Sequence, residues 1–160
     1  MQILTKTELQ MRFSEIAEQI SKGAAFIYPT DTIYGIGCHA LNEDAVEKIR
    51  KLKERPTNPF SIIAPSKEWI IENCVIVKEG KEWINKLPGP YTLILNLKNK
   101  NVIAKNVNRG EKTIGIRIPD HWFSKVVKEL GFPIVTTSAN RSGQPFMTSI
   151  EDVDPAIKEG

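Results

Sequence analysis

The sequence predicts an α/β fold, a twisted mixed open sheet with flanking helices. Three observations lead there. Short apolar runs of strand length alternate, irregularly, with segments of helical period. Two of those runs stop in clusters of hydrogen-bonding side chains, one at Thr30, Asp31 and Thr32, the other at Ser138 and Asn140. Ligands of open α/β sheets bind at strand ends. The third is the balance of 41% hydrophobic and 26% charged residues, ordinary for a globular domain, over a 160-residue length that suits a single core.

The elements follow in order. Thr7 and Gln10 have capping-box spacing, and Phe13, Ile16, Ala17 and Ile20 fall on one helical face that Gly23 ends. Residues 24–28 read as a strand. Pro29 cannot donate to a sheet ladder, so the strand should end there. The stretch YPTDTIYGIGC (28–38) then reads as a polar turn, with Gly35 and Gly37 admitting a close backbone approach. Asn42 caps a helix with Glu43 and Asp44 in its first turn and Lys51 and Lys53 in its last, as the helix dipole favours. Val46, Ile49 and Leu52 form its buried face, and Pro56 ends it near Arg55.

Residues 60–64 read as a strand, Ser66 as a helix cap, 74–77 as a short strand and 79–87 as a helix before Pro88, Gly89 and Pro90. Residues 91–97 alternate like a strand. Residues 99–108 are polar and read as a connection. A strand at 113–118 carries Arg117 among apolar neighbours, so that charge either faces solvent or is paired in a cleft. Asp120 is read as the cap of a helix closed by Gly131, 132–137 as the last clear strand, and Ser149 as the start of a helical piece to residue 159.

Composition narrows function only slightly. A net charge of +3 permits nucleic acid or anionic metabolites and argues for neither. Two cysteines, Cys38 and Cys74, make no disulfide framework or metal site, and a reduced setting follows. No apolar run reaches membrane length, so a cytoplasmic protein with no membrane partner is expected. The segment KERPTNPF (53–60) is more specific. Lys53 and Arg55 sit one residue apart at a helix end before a rigid proline-flanked turn. A planar fork beside a movable point charge suits phosphate. The same pair would equally complement the helix dipole.

Five segments in order, PTDTIYGIG (29–37), KERPTNPF (53–60), PGPYTL (88–93), TIGIRIP (113–119) and TTSANRSG (136–143), resemble the YrdC-like family of threonylcarbamoyl-AMP synthases over nearly the whole chain. The resemblance implies a single YrdC-like domain over residues 1–160 with a basic concave active-site face. It implies an L-threonylcarbamoyladenylate synthase, a nucleotidyltransferase that joins L-threonine, bicarbonate or CO2, and ATP and releases pyrophosphate. A separate transferase complex would pass the product to adenosine 37 of tRNA. Lys53 and Arg55 match the phosphate-binding pair and are the expected catalytic residues. Asn58, Thr113, Ser138 and Asn140 join them as ATP-binding residues, and Thr32, Arg117 and Thr136 are the expected threonine-binding residues. Mg²⁺ is expected to accompany ATP, with no protein metal site. Some relatives have a histidine at Ile63 and a serine at Phe146, and many continue into a further segment, so the chain reads as C-terminally truncated. The alternatives are a non-catalytic module for tRNA or double-stranded RNA, and a carbamoyl-adenylate-forming domain related to hydrogenase maturation.

Overall fold

The computed structural model describes residues 2–141, 143, 149–152, 155 and 157. The first helical segment is two helices, α1 (Lys6–Met11) and α2 (Phe13–Ser21), interrupted at Arg12, whose guanidinium turns onto Glu15 at 2.7 Å. The cap is Thr5, not Thr7: its hydroxyl accepts from the Glu8 N–H and faces the Glu8 carboxylate at 3.2 Å. The cap thus lies two residues earlier than expected, with Glu8 in the place three residues on where Gln10 was expected.

Strand β1 (Phe26–Tyr28) pairs antiparallel with β2 (Gly35–Gly37). The sequence reading missed β2, because two glycines in three residues read as a turn. Both glycines are there for close approach. A Cβ on Gly35 would lie 2.7 Å from the Tyr28 ring, and one on Gly37 would lie 2.4 Å from the Val135 carbonyl oxygen. Gly37→Ala is therefore expected to cost about 1–3 kcal/mol, read as a lower urea midpoint; an unchanged midpoint would mean that the neighbouring strand yields freely.

The rest runs α3 (Glu43–Lys53), β3 (Ser61–Ile63), α4 (Lys67–Asn73), β4 (Cys74–Val75), α5 (Lys78–Asn85), β5 (Leu93–Leu97), α6 (Lys105–Asn108), β6 (Thr113–Arg117), α7 (Phe123–Leu130) and β7 (Ile134–Ser138). Asn42 caps α3 and Ser66 caps α4, each accepting from the N–H three residues on, as expected. Asp120 caps nothing. Trp122 precedes α7 without a side-chain cap, while the Asp120 N–H donates to Asp31 Oδ2 at 2.9 Å. The connection at 99–108 contains a short turn and α6, with Val107 and Asn108 buried. Ser149 precedes a single turn, Ile150–Asp152; Phe146 and much of the expected last helix lie outside the described residues.

The seven strands form one mixed sheet in the order β1-β2-β7-β3-β6-β5-β4, with β3 and β6 parallel and every other pair antiparallel. Period-two alternation divides it into two faces. Ile36, Ile62, Ile114, Ile116 and Val135 point into the main core with Val46 and Ile49 of α3, Ile70 of α4 and Ile84 of α5. Partners across the ladders share the other face: Tyr28 with Gly35, Gly35 with Ser138, Ser61 with Thr136, Ile63 with Arg117, and Asn96 with Thr113. Helix α7 covers one patch of it, where Phe123 and Val127 pack on Tyr28, Ile63 and Ile134. Ser61, Thr113, Gly115, Arg117 and Ser138 stay exposed or half-buried.

Candidate active site

Strand direction divides the open face into two ends. Because β3 runs parallel to β6 and antiparallel to β7, the segment before β3, the start of β6 and the end of β7 meet at one end. Asn58, Thr113, Ser138 and Asn140 belong to that end, and the tip of α3 brings Lys53 to it. Arg117 closes β6 at the other end, about 13 Å from Thr113 at the usual strand rise.

Lys53 is the least ordinary residue of the first end. The buried stripe of α3 runs Val46, Ile49, Arg50, Lys53, so two cations continue an apolar face inward. Lys53 is 1% exposed. Its ammonium donates to the Ser138 carbonyl and hydroxyl and to the Asn140 carbonyl at 2.9 Å, with Asn140 Oδ1 at 3.5 Å. Burial, and next the Arg55 charge, push its pKa down to about 8. Three of the predicted ATP residues, Lys53, Ser138 and Asn140, are thus in direct contact.

Glu54 ends α3 in the left-handed region (φ 54°), which turns Arg55 into the loop. Arg55 Nη2 donates to the Pro59 carbonyl at 2.9 Å, and the guanidinium stacks over the Phe60 ring. Asn58 and Thr113 are exposed; the Asn58 carbonyl accepts from Arg50 at 2.8 Å and the Thr113 carbonyl from Asn108 at 2.9 Å.

The loop between β1 and β2 leaves the sheet beside Ser138, at the first end, and folds across the face to Arg117 at the second. Thr30 Oγ1 accepts from the Thr32 N–H and donates to the Ile33 carbonyl, and the Thr32 hydroxyl lies 3.1 Å from it. That bend leaves Thr32 exposed and carries Asp31 to Arg117, where Oδ1 meets Nη2 at 3.0 Å. The sequence reading placed Asp31 in the central stretch without seeing that it partners Arg117. Thr136 lies on the same face, and its hydroxyl accepts from the Tyr28 phenol. Burial raises the Tyr28 pKa, so the phenol stays a neutral donor.

Among the described residues, three buried polar side-chain atoms lack a hydrogen-bond partner: Arg55 Nε, Arg117 Nε and Asn106 Oδ1. An orphaned buried donor costs about 1–3 kcal/mol. Two of the three belong to the arginines expected to meet anions, one at each end of the face.

A model of the Sua5/YciO/YrdC family, described as telomere recombination, matches residues 18–160. The chain belongs to this family. A Methanocaldococcus jannaschii relative is 36% identical to it over 96% of this chain and 72% of its own length. The Vibrio campbellii threonylcarbamoyl-AMP synthase is 30% identical, over 91% of this chain and 80% of its own. Among solved structures, Pyrococcus abyssi Sua5 complexed with L-threonine superposes with a TM-score of 0.79 at 31% identity, covering 99% of this chain. This chain spans only 45% of that Sua5 chain. The mixed sheet with flanking helices is therefore the Sua5/YciO/YrdC fold. Among the described residues, no helix is long and apolar enough to cross a membrane, and no three His, Cys, Asp or Glu side chains could hold a metal ion.

Proposed function

We propose that this Sua5/YciO/YrdC chain is a cytoplasmic threonylcarbamoyl-AMP synthase, a nucleotidyltransferase acting on L-threonine, bicarbonate or CO2, and ATP. One observation carries the reading. The register puts Thr113, Arg117, Thr136 and Ser138 on a single sheet face, where Thr113 is exposed, Arg117 and Ser138 are half-buried and Thr136 is buried beside Tyr28. The name carried by relatives such as the Vibrio protein supports it.

The neutral amine of threonine adds CO2 and loses a proton to solvent, giving a carbamate. The carbamate oxygen attacks the α-phosphorus of ATP, the bond to the bridging oxygen breaks, and pyrophosphate leaves. The carbamate is already a nucleophile, so the protein aligns two reactants and stabilises charge. Arg117 holds the threonine carboxylate, with Thr32 and Thr136 around the rest of the amino acid. Lys53 and Arg55 hold the phosphates, and Asn58, Thr113, Ser138 and Asn140 line the nucleotide. Mg²⁺ would accompany ATP, held mainly by the phosphates, and would neutralise part of their charge. The basic face is the active-site face, and the product serves the modification of tRNA adenosine 37 by a separate transferase complex.

The test is pyrophosphate release from ATP by this chain, omitting L-threonine and bicarbonate in turn. Release that needs both is the expected result. Release independent of threonine, or ATP and threonine binding without release, would sink the synthase reading.

A further inference from the structure

Beside Lys53 and Arg55, to which the proposed reaction gives the phosphates, a third cation is held inside the protein. Arg50 is 4% exposed. It spends all of its donors on backbone carbonyls of two separate segments. Nε and Nη2 donate to the Asn106 carbonyl at 2.9 and 2.6 Å, and Nη2 also donates to that of Val107 at 3.0 Å. Nη1 donates to the carbonyls of Arg55 at 3.1 Å and Asn58 at 2.8 Å. Its guanidinium lies over the Phe60 ring, 4.2 Å from the centroid. The Phe60 N–H donates to the same Val107 carbonyl at 2.8 Å.

The second segment leads back to the site. Asn106 and Val107 belong to α6, whose last residue, Asn108, is buried and donates through one amide nitrogen to the carbonyls of Glu111 and Thr113, both at 2.9 Å. Arg50 thus holds Arg55 and Asn58 directly and Thr113 through α6. Only a planar fork with five N–H donors can reach this set. An ammonium at the same place has three donors on one atom.

We infer that Arg50 is a positioning residue: it ties the 55–60 loop to α6 and thereby sets the spacing of the nucleotide-binding groups on the two sides of the site. The inference rests on the ATP reading of that end of the face. Arg50 touches no substrate.

The experiment compares wild type with Arg50→Lys, which keeps the charge and removes the fork. Amide exchange is measured first, without nucleotide. In the variant the amides of Phe60 and of Gly110, which closes α6 by donating to the Lys105 carbonyl at 2.9 Å, exchange about tenfold or more faster, while those of β5 keep their rates. Binding is measured next. The variant binds ATP about tenfold more weakly, the equivalent of one charged hydrogen bond, and its affinity for L-threonine moves less than about twofold. A general loss of stability would raise exchange everywhere and weaken both ligands alike, and that result overturns the inference, as do unchanged Phe60 and Gly110 amides. If Arg50→Lys does not fold, the wild type decides. ATP then slows exchange at Phe60 and Gly110 together, and protection confined to the loop overturns the tie. A wild type that binds no ATP counts against the site reading instead, and the nucleotide-free exchange comparison still decides on Arg50.

Discussion

Lys53→Met is expected to lower threonine-dependent pyrophosphate release by roughly 10²–10³-fold, the range seen when one prearranged donor to developing charge is removed. Methionine has almost the same length as lysine, so no large cavity opens. What disappears is the ammonium that Ser138 and Asn140 surround. That leaves buried carbonyls without their donor, at about 1–3 kcal/mol each. A drop in Tm should therefore accompany the loss of turnover. Arg55→Met provides the contrast. Arg55 is half-buried in a loop, and its Nη2 donates to the Pro59 carbonyl of its own turn. Its loss should lower turnover with little change in Tm. If Lys53→Met binds ATP and turns over within threefold of wild type, Lys53 is a structural tie and nothing more.

The depressed Lys53 pKa gives a pH signature with two opposite signs. An unfolded lysine keeps its proton up to its ordinary value of 10.5, while the folded one releases it near 8. Between those values the unfolded state binds more protons, so the Lys53 contribution to stability rises with pH. Phosphate binding needs the protonated form. ATP affinity should therefore fall as pH rises through about 8, by up to about tenfold per unit, while the protein itself becomes no less stable. Titration of ATP into the protein between pH 7 and 9, beside melts in the same buffers, reads both. Lys53→Met should abolish the affinity slope, and a wild-type slope that persists in the variant assigns the titration to another group.

The sequence announced its helices and sheet through signals that are local. Asn42 and Ser66 each precede an amphipathic run, and each caps as read, because a cap needs only three neighbouring residues. Asp120 looked equally good and does not cap, because α7 begins only at Phe123, whose N–H goes to His121 Nδ1, while the Asp120 N–H is held by the Asp31 carboxylate from a distant loop. Strand β2 was hidden for a similar reason. Its glycines answer to the Tyr28 ring and the Val135 carbonyl, which lie beside them only once the sheet has formed. The expected ATP residues Lys53, Ser138 and Asn140 were readable as motifs, and the structure puts them in contact. Arg50 was not singled out. Its signal was present in the heptad-like run Val46, Ile49, Arg50, Lys53, where charge continues a buried stripe. Charge at helix ends is usually exposed, so the dipole explanation masked it. The partners that make Arg50 informative, Asn106 and Val107, lie in a segment that reads as polar connection.

Arg117→Met is expected to raise the KM for L-threonine by about 10²-fold or more, since two charge-assisted bonds to a carboxylate are worth about 1.5–3 kcal/mol each. It should also destabilise the protein, for a reason independent of substrate. Arg117 and Asp31 are both largely buried and 3.0 Å apart, and breaking such a pair costs about 3–5 kcal/mol, chiefly because one charge stays buried alone. The two effects separate in the double variant Arg117→Met/Asp31→Asn. Asparagine can still accept from the Asp120 N–H through its carbonyl oxygen, and no charge is stranded. The double variant should therefore recover most of the Tm that Arg117→Met loses while threonine affinity remains as poor. Asp31→Asn alone should keep threonine binding within a few-fold, because Arg117 retains its charge and loses only a competitor for it. Recovery of threonine affinity in the double variant would show that the arginine acts by holding the β1–β2 loop in place. Poor affinity in a stable double variant would place the carboxylate of threonine on Arg117 itself.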